Sequence, residues 1–277
     1  MTLPGTGGPF GEELTCALEL ARRAGELVRG LQRGDLGVEL KPGDEPVSIA
    51  DRRASELIVA GLAAAFPADP VISEELPPAP GAFGSPRLWL VDPIDGTKDF
   101  IRGEDGYSVM IGLVSGGRPA VGVVYQPASD RAFYATPEGA WVSAGGQTSP
   151  LAVSEVATAD RARLVASRSH RSDDIDRVKA RLGIDDEQNV GSVGVKLCLI
   201  AAGLRDLYVS PQAKTKAWDT CAPEAILARA GGRLTDLLGG PIEYRGDLRH
   251  RRGLVASNGH VHDEVVQKLA PLFSHLA

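Results

Sequence analysis

Cysteine is scarce: the 277 residues hold only Cys16, Cys198 and Cys221, an odd number at wide spacing. A disulfide scaffold is thereby excluded, and the apolar, helical-looking stretch around each predicts reduced thiols in the core. Also missing is any apolar run near membrane-spanning length, and the opening MTLPGTGGPFGEE lacks a basic and then apolar leader pattern. Positive charge is in deficit. With 30 Lys and Arg against 36 Asp and Glu, the net charge is -6 and the cations are scattered, which argues against a nucleic-acid polymer as partner. No internal repeat or low-complexity segment occurs. The expectation left standing is a cytoplasmic globular protein, 43% hydrophobic and 24% charged, long enough to bury a large core.

Periodicity supplies the elements. Leu14, Ala17, Leu18, Ala21, Ala24, Leu27, Val28 and Leu31 recur at helical spacing from Glu12 to Leu31. A polar stretch, KPGDEPVSIAD, leads to a second helix over Ile49 to Phe66, carried by Ala54, Leu57, Ile58 and Leu62. VIS is a short strand that stops at Glu74 and Glu75, and RLWLV is the next. YSVMIGLV, PAVGVVYQ, RAFYAT and GAWVSA, separated by turn residues, predict an antiparallel meander. Beyond residue 150, RLVASRS, DLYVS, GRLTDL and GLVASN read as strands. SDDIDRVKARLG, GVKLCLIAAG, WDTCAPEAILARAGG and HVHDEVVQKLAPLF read as helices. Irregular interleaving of this kind predicts an α/β layered architecture with mostly antiparallel and mixed sheets, not a doubly wound fold. The expected division is an N-terminal part over 10–150 and a C-terminal part over 151–277.

The chemistry concentrates where RLWLV runs into DPIDGT. Asp92 and Asp95 at the end of a covered strand are costly unless a cation lies between them. A turn there aims both carboxylates and the Ile94 carbonyl at one point, and converging oxygens suit a hard divalent ion such as magnesium. Glu74, Glu75 and Asp219 also stand at element ends. Taken singly, Asp219 can be an N-cap, Asp95-Gly96 a turn and Glu74-Glu75 a solvated edge. Their joint occurrence favours a common pocket.

Together SEE, DPIDGT and WDTCAPEAILARAGG resemble the magnesium-dependent, lithium-sensitive phosphatase superfamily of inositol monophosphatases, fructose bisphosphatases and bisphosphate nucleotidases. The likeness runs from about residue 12 to 275, with the motifs in the expected order. It implies the α-β-α-β-α sandwich of that superfamily and two or three magnesium ions. By the same resemblance Glu75, Asp92 and the Ile94 carbonyl hold one metal, and Asp92, Asp95 and Asp219 the second. Of the glutamate pair, Glu75 is taken as the ligand in preference to Glu74. Gly96 and Thr97 hold the phosphate, Asp51 is the acidic partner of Thr97, and Glu75, Thr97 and Asp51 act on the attacking water. Lys41 and Asp44 fall in a lead-in segment and receive no role.

For the substrate, SRSH and SVGVK resemble the nucleotide-holding segments of 3'(2'),5'-bisphosphate nucleotidases. The resemblance implies contacts from Ser167, His170, Ser192, Lys196 and Asp219, with His170 and Lys196 on the phosphate that is not cleaved. Where inositol monophosphatases place an acidic residue ahead of WD, this chain has Gln212, Lys214 and Lys216, which favours an additional anionic group. The expected activity is therefore removal of the 3'-phosphate from adenosine 3',5'-bisphosphate to give AMP. An inositol monophosphatase, a broad sugar-phosphate phosphatase acting on fructose 1,6-bisphosphate, and a non-catalytic nucleotide or metal binder stay open as alternatives. The expected partner is a small phosphorylated molecule, with no nucleic-acid polymer and no membrane; a homodimer is compatible with this.

Overall fold

Gly11–Leu31 forms α1, with Leu14, Ala17, Leu18, Ala21, Ala24 and Val28 on one buried stripe. The computed structural model describes residues 3–41, 45–78, 81–169 and 171–276, so Asp44 and His170 lie outside the described residues. A small hairpin follows α1: β1 (Glu39–Lys41) pairs antiparallel with β2 (Glu45–Val47). Ile49–Ala65 is α2, opened by a reciprocal cap in which the Ser48 hydroxyl accepts from the first-turn amides and Asp51 Oδ2 accepts from Ser48 N.

The next strands build a seven-stranded sheet in strictly sequential order. They are β3 (Val71–Ser73), β4 (Arg87–Asp95), β5 (Ser108–Ser115), β6 (Arg118–Gln126), β7 (Arg131–Thr136), β8 (Gly139–Ala144) and β9 (Gln147–Pro150). Only the β3–β4 pair is parallel. A short helix, α3 (Thr97–Ile101), sits between β4 and β5. Beyond residue 150 come β10 (Leu164–Ser167), α4 (Asp173–Leu182), β11 (Glu187–Val190), α5 (Val193–Ala201), β12 (Leu207–Ser210) and α6 (Ala217–Arg229). β13 (Arg233–Thr235), β14 (Leu254–Ser257) and α7 (His262–Leu269) complete the set. The second sheet runs β11-β10-β12-β14-β13, parallel across its first three strands and antiparallel thereafter.

Alternation along β4 explains the layers. Trp89 and Val91 face α1 and α2, whereas Leu88 and Leu90 face α5 and α6, so a strand covered on both sides reads as one continuous apolar run. Tyr208, Leu254 and Ala256 of the second sheet close the far side of α5 and α6. The outer face of that sheet packs Leu164, Leu207 and Val255 on α4 and α7. The result is an α-β-α-β-α sandwich, as the family resemblance implies, with the central α5–α6 layer in contact with both sheets.

Several details differ from expectation. The polar lead-in before α2 carries the β1–β2 hairpin, and β9 and β11 each hold a single β-branched residue, Thr148 and Val190, too little to announce a strand. Cys198 and Cys221 are buried in the core as anticipated, but Cys16 is only half-buried, at the margin of the α1 stripe.

One core feature predicts an acid response. The fully buried His262 ring bonds Ser257 Oγ through Nδ1 and Thr235 Oγ1 through Nε2, each at 2.9 Å, and burial lowers its pKa to about 4. Because the folded value is depressed, the unfolded chain takes up a proton first. Stability from this group is complete above about pH 6.5 and is lost as pH falls toward 4, on the order of 2–3 kcal/mol. Urea midpoints measured from pH 7 to 4.5 should therefore fall more steeply for the natural protein than for His262→Gln, and equal slopes would contradict this account.

Candidate active site

The parallel register of β3 on β4 builds the site. Ser73 pairs with Val91, and Glu74 N donates to the Val91 carbonyl at 3.1 Å, so the next step along both strands sets Glu74 beside Asp92. Both follow the parity of Ile72 and Leu90, which face the α5–α6 layer. From that layer Asp219 enters on the first turn of α6, its Oδ2 accepting the Lys216 amide at 2.6 Å. One oxygen each from Glu74, Asp92 and Asp219 lies within 4.8 Å of the others. Burial and the neighbouring carboxylates raise the pKa of Asp92 and Asp219 well above the usual carboxylate range.

This placement distinguishes the two members of the glutamate pair. The Glu75 carboxylate accepts from Lys41 Nζ at 2.7 Å and lies outside the three-carboxylate group. Lys41 also donates to Glu74 Oε1 at 3.0 Å; burial alone would lower its pKa, but the two glutamates hold it above the usual range. A lysine assigned no role from sequence is thus the cation nearest the cluster's open edge.

Asp95 is reached through a bulge, where a turn was expected. Asp92 pairs with Met110 and Asp95 with Ser108, leaving one residue extra on β4, and β4 runs through Asp95. Pro93 donates no hydrogen bond at that point, which an irregular stretch tolerates. The Asp95 Oδ2 atom accepts from Gly194 N at 2.7 Å and from Ser192 Oγ, so it sits on the amino end of α5. It lines the same cavity as Glu74, Asp92 and Asp219.

Just past the end of β4 and lining the same cavity, Thr97 Oγ1 lies 3.2 Å from Asp51 Oδ1 and 3.0 Å from the Ile94 carbonyl. Its single proton serves one of these acceptors at a time. Burial raises the Asp51 pKa, while hydrogen bonds from Ser48 and Thr97 oppose the rise. The backbone reaches Thr97 through Gly96 at φ 94°, where a Cβ would stand 2.9 Å from the Gly106 carbonyl.

Asp219 depends on a second pair of glycines. Gly112 and Gly122 face each other across β5 and β6, and a Cβ on either would meet α6 at Cys221 Sγ and Ala222 N, 2.7 and 2.8 Å away, or at the Ala222 carbonyl, 2.1 Å away. The missing side chains leave a groove in the sheet that seats α6 two residues after Asp219.

Two expected nucleotide contacts are otherwise engaged. Ser192 is fully buried and does not line the cavity; its hydroxyl caps α5 by accepting from Val195 N and donates to Asp95. Lys196 lies in the cavity floor with no exposed surface, its Nζ donating to the carbonyls of Val190 at 3.1 Å and Gly191 at 2.7 Å and resting over the Tyr208 ring. Burial lowers its pKa to about 8 against the pull of Asp95, Asp99 and Asp219. Both residues therefore brace the β11–α5 junction, Lys196 from a position that also lines the cavity. Ser167 lines the cavity, as do Gln212, Lys214 and Lys216. Asp99 was not anticipated: it is buried at the same mouth and bonds Arg168 at 3.0 Å. Among the described residues, no helix is long and apolar enough to cross a membrane.

A layered fold that gathers carboxylates at its strand ends, beside a hydroxyl held on a buried aspartate, is that of an enzyme hydrolysing phosphate monoesters. Residues 11–272 match the model of the inositol monophosphatase family, and the chain belongs to that family. Among its relatives, the 3'(2'),5'-bisphosphate nucleotidase CysQ of Salmonella typhimurium is 37% identical over 230 residues, 82% of this chain and 91% of that protein. The histidinol-phosphatase of Mycobacterium tuberculosis is also 37% identical, over 267 residues, 93% of this chain and 98% of the relative. The solved structure of Thermotoga maritima IMPase superposes with a TM-score of 0.80 at 28% identity, covering 96% of this chain and 100% of that one.

Proposed function

We propose that the protein is a magnesium-dependent 3'(2'),5'-bisphosphate nucleotidase that removes the 3'-phosphate of adenosine 3',5'-bisphosphate to give AMP. The observation that carries the metal dependence is the convergence of Glu74, Asp92 and Asp219, whose repulsion Lys41 alone does not offset. An all-oxygen, all-anionic donor set fits a hard divalent cation. Such a cation, when bound, lowers the pKa of water and screens the phosphate from the carboxylates. Glu74, Asp92 and Asp219, with Asp95 and the Ile94 carbonyl at their margin, are the residues to hold it.

The remaining work falls to the chain. Thr97 directs its proton to Asp51 and so presents a lone pair able to accept a proton from the attacking water. Asp51, buried and fixed by Ser48, keeps Thr97 in that orientation. Gly96 and Thr97 bring the backbone close to the transferred phosphate.

The nucleotide preference is supported by the CysQ relatives, of which the Salmonella and Escherichia coli K12 proteins are 37% and 36% identical. The histidinol-phosphatase, matched over a longer stretch, favours histidinol phosphate as the second reading. Phosphate release with magnesium should give the highest kcat/KM on adenosine 3',5'-bisphosphate in a panel with histidinol phosphate, inositol monophosphate and fructose 1,6-bisphosphate. A higher value on any of the other three would replace the nucleotide assignment.

A further inference from the structure

Of the three converging carboxylates, Asp219 is the one carried by a helix, and the first turn of α6 lacks a restraint that helices ordinarily have. Pro223 stands inside the helix and has no amide to bond the Asp219 carbonyl four residues back. The turn is held from outside instead. Lys216 donates its amide to Asp219 Oδ2 at 2.6 Å and its carbonyl accepts from Asp219 N at 3.0 Å. Residues 215–217 in turn lie against the segment that joins β13 to β14. There Lys216 pairs with Arg249 in an isolated antiparallel bridge, His250 N donates to the Thr215 carbonyl at 3.0 Å and Ala217 N to Leu248 O at 2.8 Å.

Beside that turn runs a chain of buried polar groups, His250, Thr220, Tyr244 and Glu224, none of which lines the cavity. His250 Nε2 meets Thr220 Oγ1 at 2.8 Å, and the ring also bonds the Lys216 backbone. Burial lowers its pKa to about 4, so the ring is neutral near pH 7 and, with its other nitrogen on Lys216, Nε2 accepts the Thr220 proton. The Tyr244 hydroxyl lies 3.2 Å from Thr220 Oγ1 and donates to Glu224 Oε2. Arg118 of β6 closes the chain on Glu224 Oε1 and on the Ile242 carbonyl. A buried network in which every member is satisfied admits one arrangement of the elements it joins.

We infer that Thr220, His250 and Tyr244 are positioning residues for Asp219: they fix the rotation and depth of the first turn of α6, and so hold its carboxylate where Glu74 and Asp92 can share a divalent cation with it. The inference rests on the reading that these three carboxylates hold magnesium. His250 brackets the ligand, acting on Lys216 three residues before Asp219 and on Thr220 immediately after it. The hydroxyl at 220 therefore governs metal affinity, although it neither bonds the Asp219 side chain nor lines the cavity.

Calorimetric titration with magnesium alone, beside the magnesium dependence of kcat, tests this in Thr220→Val, Thr220→Ser and Tyr244→Phe, with His262→Gln as control. Thr220→Val keeps the side-chain shape and loses the hydroxyl. It should bind magnesium about tenfold more weakly, whereas Thr220→Ser should stay within about twofold of the natural protein. Tyr244→Phe removes a single oxygen and leaves the ring edge against His250, centroids 6.5 Å apart, so it should shift magnesium affinity in the same direction even if Thr220→Val does not fold. His262→Gln loosens a buried network elsewhere and should lower the melting temperature with magnesium affinity unchanged. Natural magnesium affinity in Thr220→Val and Tyr244→Phe, or an equal loss in His262→Gln, overturns the positioning role and leaves the metal reading in place. A natural protein whose calorimetry and melting temperature are both unmoved by magnesium overturns that reading, and the role with it.

Discussion

Replacing Asp92 by Asn is expected to lower magnesium-dependent phosphate release by about 10³-fold and, at the same time, to raise the melting temperature of the metal-free protein. The two effects share one cause. Asp92 is buried at the centre of a group of carboxylates, and its raised pKa shows how poorly the metal-free fold tolerates its charge. Loss of several kcal/mol of transition-state stabilisation at a metal centre corresponds to a rate loss of about that size. Asn keeps the Oδ1 acceptor that Ile94 N meets at 3.0 Å, so the bulge survives the change. Without metal the substitution removes a repelled charge, and each kcal/mol gained is worth roughly 2–4 °C in a chain of this size. The sign with pH follows: an acid with a raised folded pKa contributes stability at low pH and withdraws it as pH climbs beyond the usual carboxylate range. Melting curves with chelator and with magnesium, alongside phosphate assays, examine both halves. A less stable metal-free Asp92→Asn, or one active to within tenfold, would show that the carboxylates do not gather for an ion.

The second large effect separates the glutamate neighbours. Glu74→Gln should cost about 10²-fold or more in kcat, since it removes one of three converging oxygens, whereas Glu75→Gln should cost less than about tenfold. Glu75 shares Lys41 with Glu74, and Lys41 retains Glu74 as a partner when Glu75 is neutralised. Comparable losses from the two substitutions, each with an unchanged melting temperature, would put Glu75 back among the ligands.

The glutamate pair also marks how far sequence alone reaches. Strand β4 was legible because its two covered faces leave an unbroken apolar run, and the motif at its end declared the chemistry through charge that a core does not otherwise admit. The family resemblance located the cluster to within one residue at Glu74/Glu75. Parity would have resolved it: Glu74 lies two residues beyond the buried Ile72 and, in a parallel pair with β4, falls level with Asp92. That step requires the register, and register is a tertiary fact. Ser192 and Lys196 raise a related point. A hydroxyl or ammonium in a motif shows only that a partner is needed, and here those partners are Asp95 and two backbone carbonyls of the same junction. The start of α2 was legible from its apolar periodicity, whereas the β1–β2 hairpin was not, because mostly polar residues form its strands.

The paired glycines under α6 bear on when the centre comes into being. Glu74, one residue past β3, and Asp92 and Asp95 on β4 share a neighbourhood as soon as the two strands align. Asp219 arrives from more than a hundred residues downstream, and only if its helix drops fully into the hollow that Gly112 and Gly122 leave open. Affinity for a divalent ion is therefore a gauge of close docking between the sheet and the middle layer: a partly ordered chain with every strand and helix formed, but this seam unsealed, would offer the ion an incomplete ring of oxygens.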